Sequence, residues 1–245
     1  MNIFLWTHPR SVSTAFERTI AERGDLEILH EPFSDLYYGH DKKAKAVGFQ
    51  SQYDFPASYP NIKSHLQKLF NNDIDYFIKD MAYHCWDYLK NDTAWLLDTA
   101  AVFLIRNPKT AIASHYAINK DVQCDEIGYQ KLWMLYELLS NSGKKPLLLL
   151  SESLQENPAI TLQKFEQYCK LPPKPEALQW KKQAPDSWKS WEAWHKDAAQ
   201  SKSIEQKKRK YSDTVENNSL LQQYYDYHLP YYEKLKSAAA KAVHS

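Results

Sequence analysis

Short apolar runs alternate with amphipathic stretches over the first two thirds of the chain. Residues 2–6, Leu26 to His30, Tyr76 to Lys79, Ala101 to Ile105 and Leu147 to Leu150 are mainly apolar runs of strand length. Such runs, bounded by turn residues, suit strands buried on both faces. Between them, helical spacing predicts helices over 13–23, 62–70, 83–90, 108–118, 125–141 and 158–169. Leu171-Pro172-Pro173 then stops the regular pattern. Strands alternating with helices predict a three-layer α/β/α fold around a central parallel sheet, with ligands gathering at the carboxyl ends of the strands. Arg10, Glu31, Lys79 and Arg106 all fall at or just after such ends. Residues 41–60 lack a clear period and read as a loop on the substrate side. The last third crowds Trp180, Trp188, Trp191 and Trp194, followed by Tyr224, Tyr225, Tyr227, Tyr231 and Tyr232. It reads as a mainly helical region, either packed on the body or forming a lid. The expected organisation is one domain over 1–245, with a core at 1–171 and this helical segment at 172–245.

Two segments share one grammar. In the first, the apolar run Ile3 to Trp6 leads through Thr7-His8-Pro9-Arg10-Ser11-Val12-Ser13-Thr14 into a helical pattern. A loop opening a helix presents unpaired backbone N–H groups and the positive end of the helix dipole, which is a ready anion site. Arg10 adds a fixed charge, and Ser11, Ser13 and Thr14 add hydroxyl donors. A Ser/Thr-rich turn of this kind can equally be a plain helix cap. In the second segment, Ala101 to Ile105 leads into Arg106-Asn107-Pro108, with Ser114 eight residues after Arg106. Asn107 suits a cap and Pro108 the first helical turn.

The pair resembles the two nucleotide-binding motifs of the sulfotransferases that use 3′-phosphoadenosine-5′-phosphosulfate (PAPS). The resemblance implies a P-loop-like fold. It implies that Pro9, Arg10, Ser11, Val12, Ser13 and Thr14 hold the phosphosulfate, and that Arg106 and Ser114 hold the 3′-phosphate. A third match is Ser151-Glu152-Ser153-Leu154-Gln155-Glu156-Asn157-Pro158, similar to the turn that follows a late strand in that family. Relatives also place a basic segment late in the chain against the 3′-phosphate, and Lys207-Lys208-Arg209-Lys210 is the candidate here; its alternative reading is a solvated helix face. Val12 stands where the family usually has a glycine. A β-branched residue is costly at positive φ, so the loop either keeps φ negative there or differs in shape.

The implied reaction moves a sulfuryl group from PAPS to a hydroxyl or amine of a small molecule. Like phosphoryl transfer, it needs in-line geometry and stabilised equatorial charge. Arg10 is the expected electrophilic stabiliser. Glu31, in a Glu-Pro pair that one branch of the family uses as proton acceptor, is the expected base. Sulfate beside it would raise its pKa. His30 should point to the opposite side if the strand continues, and is a rival base; His84 is a further candidate. Lys79 either neutralises transition-state charge or forms a salt bridge to Asp80 or elsewhere. His30, His84 and Trp86 are candidates for the acceptor side, and Asp98, His115 and Tyr116 are weaker ones.

Composition narrows the alternatives. Net charge is +1 over 245 residues, which gives no bulk attraction to nucleic acid or membrane. Cys85, Cys124 and Cys169 lie far apart without Cys-x-x-Cys or metal-ligand spacing, as expected of reduced thiols in a cytoplasmic protein that needs no metal. No apolar run approaches the ~20 residues of a membrane span, and no signal peptide is expected. Two other functions share the sheet and anion loop. One is a P-loop kinase or NTPase, although the chain lacks Gly-x-x-x-x-Gly-Lys-Ser/Thr. The other is a catalytically silent protein that only binds a nucleotide or a partner.

Overall fold

The computed structural model describes residues 1–45, 49–181, 200–206 and 209–242. Five strands form one parallel sheet: β1 (Asn2–Thr7), β2 (Glu27–His30), β3 (Tyr76–Met81), β4 (Ala100–Ile105) and β5 (Leu147–Leu150), in the order β2-β3-β1-β4-β5. β1 lies at the centre, so the turn that follows it opens beside the ends of both β3 and β4.

The helices are α1 (Ser13–Arg23), α2 (Tyr59–Phe70), α3 (Ala82–Leu89), α4 (Pro108–Tyr116), α5 (Tyr129–Asn141), α6 (Ser151–Glu156), α7 (Pro158–Cys169) and α8 (Ser219–Ala242). Alternate strand residues feed two cores, as the period-2 geometry of a strand requires. Phe4, Trp6, Ile78 and Phe103 pack with α2, α3, α5 and α8 on one face. Ile3, Leu5, Phe77, Val102 and Leu104 pack with α1 and α7 on the other. This is the expected three-layer α/β/α arrangement. Among the described residues no helix is long and apolar enough to cross a membrane.

Several elements differ from expectation. Six residues at Asp35–His40 form a π-helical turn that the pattern did not signal. Its register is held from outside: the Asp35 carboxylate accepts from the Ser51 hydroxyl at 2.5 Å and the Gln52 N–H at 2.9 Å. Helix α2 starts at Tyr59 rather than residue 62, with Pro60 in its first turn. The segment after β5 is a short helix, α6, rather than a turn. Of the late aromatic residues, Trp180 is buried in the core on the α1 side and Tyr232 in the core on the α8 side, so both are packing residues. Trp188, Trp191, Trp194, Lys207 and Lys208 lie outside the described residues.

The α1 side is fastened by a buried charge cluster. The fully buried Arg23 side chain pairs with Glu166 of α7, binds Asp25 at 2.9 Å and donates to the Pro172 carbonyl at 3.0 Å. Removing one partner of a buried pair leaves the other charge uncompensated. Arg23→Met should therefore lower unfolding free energy by about 3–5 kcal/mol, measured by urea denaturation. A loss below about 1 kcal/mol would show that Glu166 finds other solvation.

Candidate active site

The turn after β1 is built on left-handed backbone. Arg10 has φ 64° and Val12 has φ 69°, a region non-glycine residues enter at a cost of about 1–2 kcal/mol each. Of the two options the sequence left open, the loop takes positive φ at Val12. Val12 is also the cap of α1, and it makes no side-chain capping bond. Ser11, Ser13 and Thr14 therefore do not act as that cap. Ser11 turns inward: its hydroxyl lies 2.6 Å from that of Thr7, which itself donates to the Leu104 carbonyl at 2.8 Å. The Ser151 hydroxyl donates to the Ser11 carbonyl, so the third motif supports the first from below.

The two arginines meet. Arg10 Nε donates to Ser114 Oγ at 2.9 Å, and an Arg106 guanidinium nitrogen donates to the Arg10 carbonyl at 2.9 Å. Asn107 caps α4 by accepting the Lys109 N–H, as its position suggested. Residues Pro9 to Ala15, Arg106, Ser114 and His115 line one crevice of about 1150 Å³ including its open mouth. Its far wall comes from Glu31, Tyr38, Met81, Tyr83 and His84, and late residues including Arg209 and Tyr211 close another side. Of the basic run, Arg209 thus reaches the crevice, while Lys210 is solvent-exposed.

Beside the crevice lies a buried cluster of opposite charges. Glu31 follows β2 at φ 46°, and its N–H donates to the Lys79 carbonyl at 2.7 Å. Its carboxylate sits 2.6 Å from Lys79 Nζ and 3.7 Å from His30 Nε2, while His30 Nδ1 contacts Glu17 at 2.8 Å. Burial raises the Glu31 carboxyl, but Lys79, His30 and His84 outweigh it and hold it at about 2. The Lys79 ammonium thus opposes the upward shift that a sulfate beside Glu31 would cause. His30 does not point away from Glu31. The left-handed backbone at Glu31 ends the strand alternation, so the two side chains meet, and His30 backs the crevice instead of lining it. Lys79 is likewise fully buried beneath Glu31, paired with it and not with Asp80.

Asp80 serves His84 instead. One carboxylate oxygen of Asp80 contacts His84 Nδ1 at 2.7 Å and accepts the Met81 N–H at 2.7 Å, while the other accepts the Phe33 N–H at 2.7 Å. Burial raises the Asp80 carboxyl, with His84 opposing. The His84 ring is boxed by Tyr37, Tyr38 and Tyr83 at centroid distances of 5.7, 5.5 and 4.5 Å, and its Nε2 has no hydrogen-bond partner among the described residues. Trp86, expected on the acceptor side, packs in the core with Cys85 and Leu89 because helix α3 turns that face inward. Asp98 is exposed and Tyr116 half-buried, and neither lines the crevice.

His8 and Tyr129 had no motif to flag them. His8 Nε2 accepts the Arg106 N–H at 3.0 Å, and the Tyr129 hydroxyl donates to the Arg106 carbonyl at 2.6 Å. Burial, only partly opposed by the Pro9 carbonyl, pulls His8 down to about 3. Burial and Arg10 do the same to His115, and burial takes His228 to about 4.

Two outcomes follow from this geometry. Val12→Gly and Val12→Ala both lose the half-buried side chain, but only glycine relieves the left-handed strain. The glycine variant should be the more stable by about 1 kcal/mol in urea unfolding; equal stabilities would mean the turn is unstrained. The unfolded chain protonates its histidines near pH 6.5, while folded His8, His115 and His228 resist to about 3 to 4. Stability should therefore fall as pH drops below about 6.5, and Glu31 should add to the loss as pH falls from about 4.5 toward 2. Unfolding free energies that stay level between about pH 7.5 and pH 5 would contradict the buried neutral histidines.

Comparison with known proteins identifies the family. The sequence model described as "Sulfotransferase domain" matches residues 1–239. Two Arabidopsis thaliana proteins named branched-chain-amino-acid aminotransferase-like protein 2 and protein 1 are each 25% identical, over 191 and 208 residues. These alignments cover 73% and 81% of this chain but only 31% and 36% of the relatives, so the chain spans about a third of their length. Among solved structures, the sulfotransferase domain from the curacin biosynthetic pathway has TM-score 0.46 at 16% identity, covering 91% of this chain and 95% of that one. A sulfotransferase from Mycobacterium avium has TM-score 0.47 at 13% identity, covering 94% of this chain and 76% of that one. With a family match that runs nearly end to end, the chain belongs to the sulfotransferase-domain family.

Proposed function

We propose that this protein transfers a sulfuryl group from PAPS to a hydroxyl, or an amine, of a small molecule. The observation that carries the reading is the joining of the two basic turns in one crevice, with Arg10 bonded to Ser114 and Arg106 bonded to the Arg10 carbonyl. In this reading the backbone N–H groups that open α1, with Ser13, Thr14 and Arg10, hold the 5′-phosphosulfate. Arg106, Ser114 and Arg209 hold the 3′-phosphate. Arg10 stabilises charge on the leaving oxygen as the S–O bond to the nucleotide breaks.

The acceptor enters from the wall of Tyr38, Met81, Tyr83 and His84. Two groups there can take its proton. Glu31 is held at about 2 by Lys79 and its other neighbours, which makes it a weak base. His84 has Nδ1 fixed by Asp80 and Nε2 free of hydrogen-bond partners among the described residues, so its geometry suits proton acceptance better. Glu31 then acts with Lys79 to set the field around the transferring group.

Adenosine 3′,5′-bisphosphate (PAP), the product nucleotide, should raise the melting temperature without added metal, and Mg-ATP should not. The reverse pattern would favour a kinase-like enzyme, and a response to neither a silent protein. Arg10→Ala should slow transfer on the order of 10²–10³-fold, by analogy with the loss of an oxyanion donor. His84→Ala should slow transfer more than Glu31→Gln in single-turnover rates while PAP binding persists. The opposite order would return the base role to Glu31.

A further inference from the structure

Arg106 is held by its backbone as well as by its side chain. It directly follows β4, where the sheet ladder has ended, so its own N–H and carbonyl need partners from elsewhere. His8 supplies the acceptor and Tyr129 the donor. The next N–H, of Asn107, donates to Glu152 at 2.9 Å. His8 Nδ1 lies 3.0 Å from the Pro9 carbonyl, which fixes the tautomer: the proton sits on Nδ1 and Nε2 is left to accept. The two clamp rings are in contact, with centroids 4.1 Å apart and planes tilted by 34°. Their approach depends on the residue before Tyr129. Gly128 has φ 86°, and a Cβ there would lie 3.2 Å from both His8 Cβ and a Tyr83 ring carbon. Side chains from the residue just after β1 and from α5, both buried, therefore do what solvent at the crevice edge would otherwise do, and they do it in one geometry.

We propose that His8 and Tyr129 are positioning residues for nucleotide recognition, which clamp the Arg106 peptide and so aim its guanidinium at the 3′-phosphate. The proposal rests on the assignment of Arg106 to that phosphate in the proposed function. Neither residue touches the nucleotide in this arrangement. Their effect is confined to the part of the ligand that Arg106 reads.

The test compares the affinities of PAP and adenosine 5′-monophosphate, which lacks the 3′-phosphate, by isothermal titration calorimetry. Arg106→Ala sets the reference loss in the PAP to 5′-monophosphate affinity ratio. Tyr129→Phe removes one hydroxyl and keeps the ring against His8; His8→Ala removes the acceptor; His8→Gln offers an amide oxygen in its place. Tyr129→Phe and His8→Ala should lower the ratio by about five- to tenfold, the effect of one hydrogen bond, with 5′-monophosphate affinity nearly unchanged. His8→Gln should recover most of the ratio. If His8→Ala does not fold, Tyr129→Phe decides. A ratio kept in Tyr129→Phe but lost in Arg106→Ala overturns the clamp, as does an equal loss of both nucleotides. A ratio kept in Arg106→Ala overturns the 3′-phosphate assignment itself, and the clamp with it.

Discussion

The site depends on backbone held where side chains resist it. Arg10, Val12 and Glu31 all adopt positive φ, and all three line the same crevice. A parallel strand delivers its next residues straight outward from the sheet. To fold a turn back over the strand ends, and to present N–H groups inward, the chain must reverse sharply, and the left-handed region does so in one residue. Glycine would make this easy, but the chain uses none here. The strain persists because other elements hold the carbonyls. Arg106 donates to the Arg10 carbonyl, Ser151 to that of Ser11, and Ser34 and Gln52 to that of Glu31. Ser34 belongs to the Glu31 turn itself, but Arg106, Ser151 and Gln52 come from outside the turns they fix, so the full set of holds exists only once the sheet is assembled.

Electrostatics divides the crevice in two. One half carries Arg10, Arg106 and Arg209, with the opening of α1. The other is backed by Glu31, Asp80 and Glu126, all buried. A buried carboxylate is tolerated only with partners, and each has them: Lys79 and His30 for Glu31, His84 and two backbone N–H groups for Asp80, and Tyr38 and the Gln123 N–H for Glu126. In the proposed reaction, a transferring anion at the border would meet the arginines on one side and the carboxylates and His84 on the other.

The sheet and most helices were legible because their signals are local. Apolar runs gave all five strands to within two residues, and the spacing of apolar positions gave α1 and α7 their observed bounds. The two basic turns were legible for the same reason, since strand, Arg, hydroxyl residues and helix follow one another in sequence. What stayed hidden depends on distant partners. The turn at Asp35–His40 is set by Ser51 and Gln52. His8 and Tyr129 act only because β1, β4 and α5 converge. The face of α3 carrying Ala82, Cys85, Trp86 and Leu89 repeats at three- and four-residue steps, a pattern that does mark Trp86 as core. At Val12 the sequence posed the right question and left both answers open, since side-chain identity states the cost of positive φ but not whether the surrounding fold imposes it.

The placement of Lys79 shows why motif and chemistry sit on different elements. Its ammonium is buried beside Glu31 and within 3.9 Å of Glu17, so its charge is spent inside the protein. With two carboxylates about it, Lys79 adds little net attraction for an incoming anion. Attraction has to come from groups whose charge faces the crevice, which are the arginines and the helix amides of the two turns. Those groups lie in contiguous sequence and are read as a motif. The groups proposed to tune proton transfer are paired across β2, β3 and α3, and which neighbour each one faces sets its proposed role: Lys79 turned to Glu31, Asp80 turned to His84.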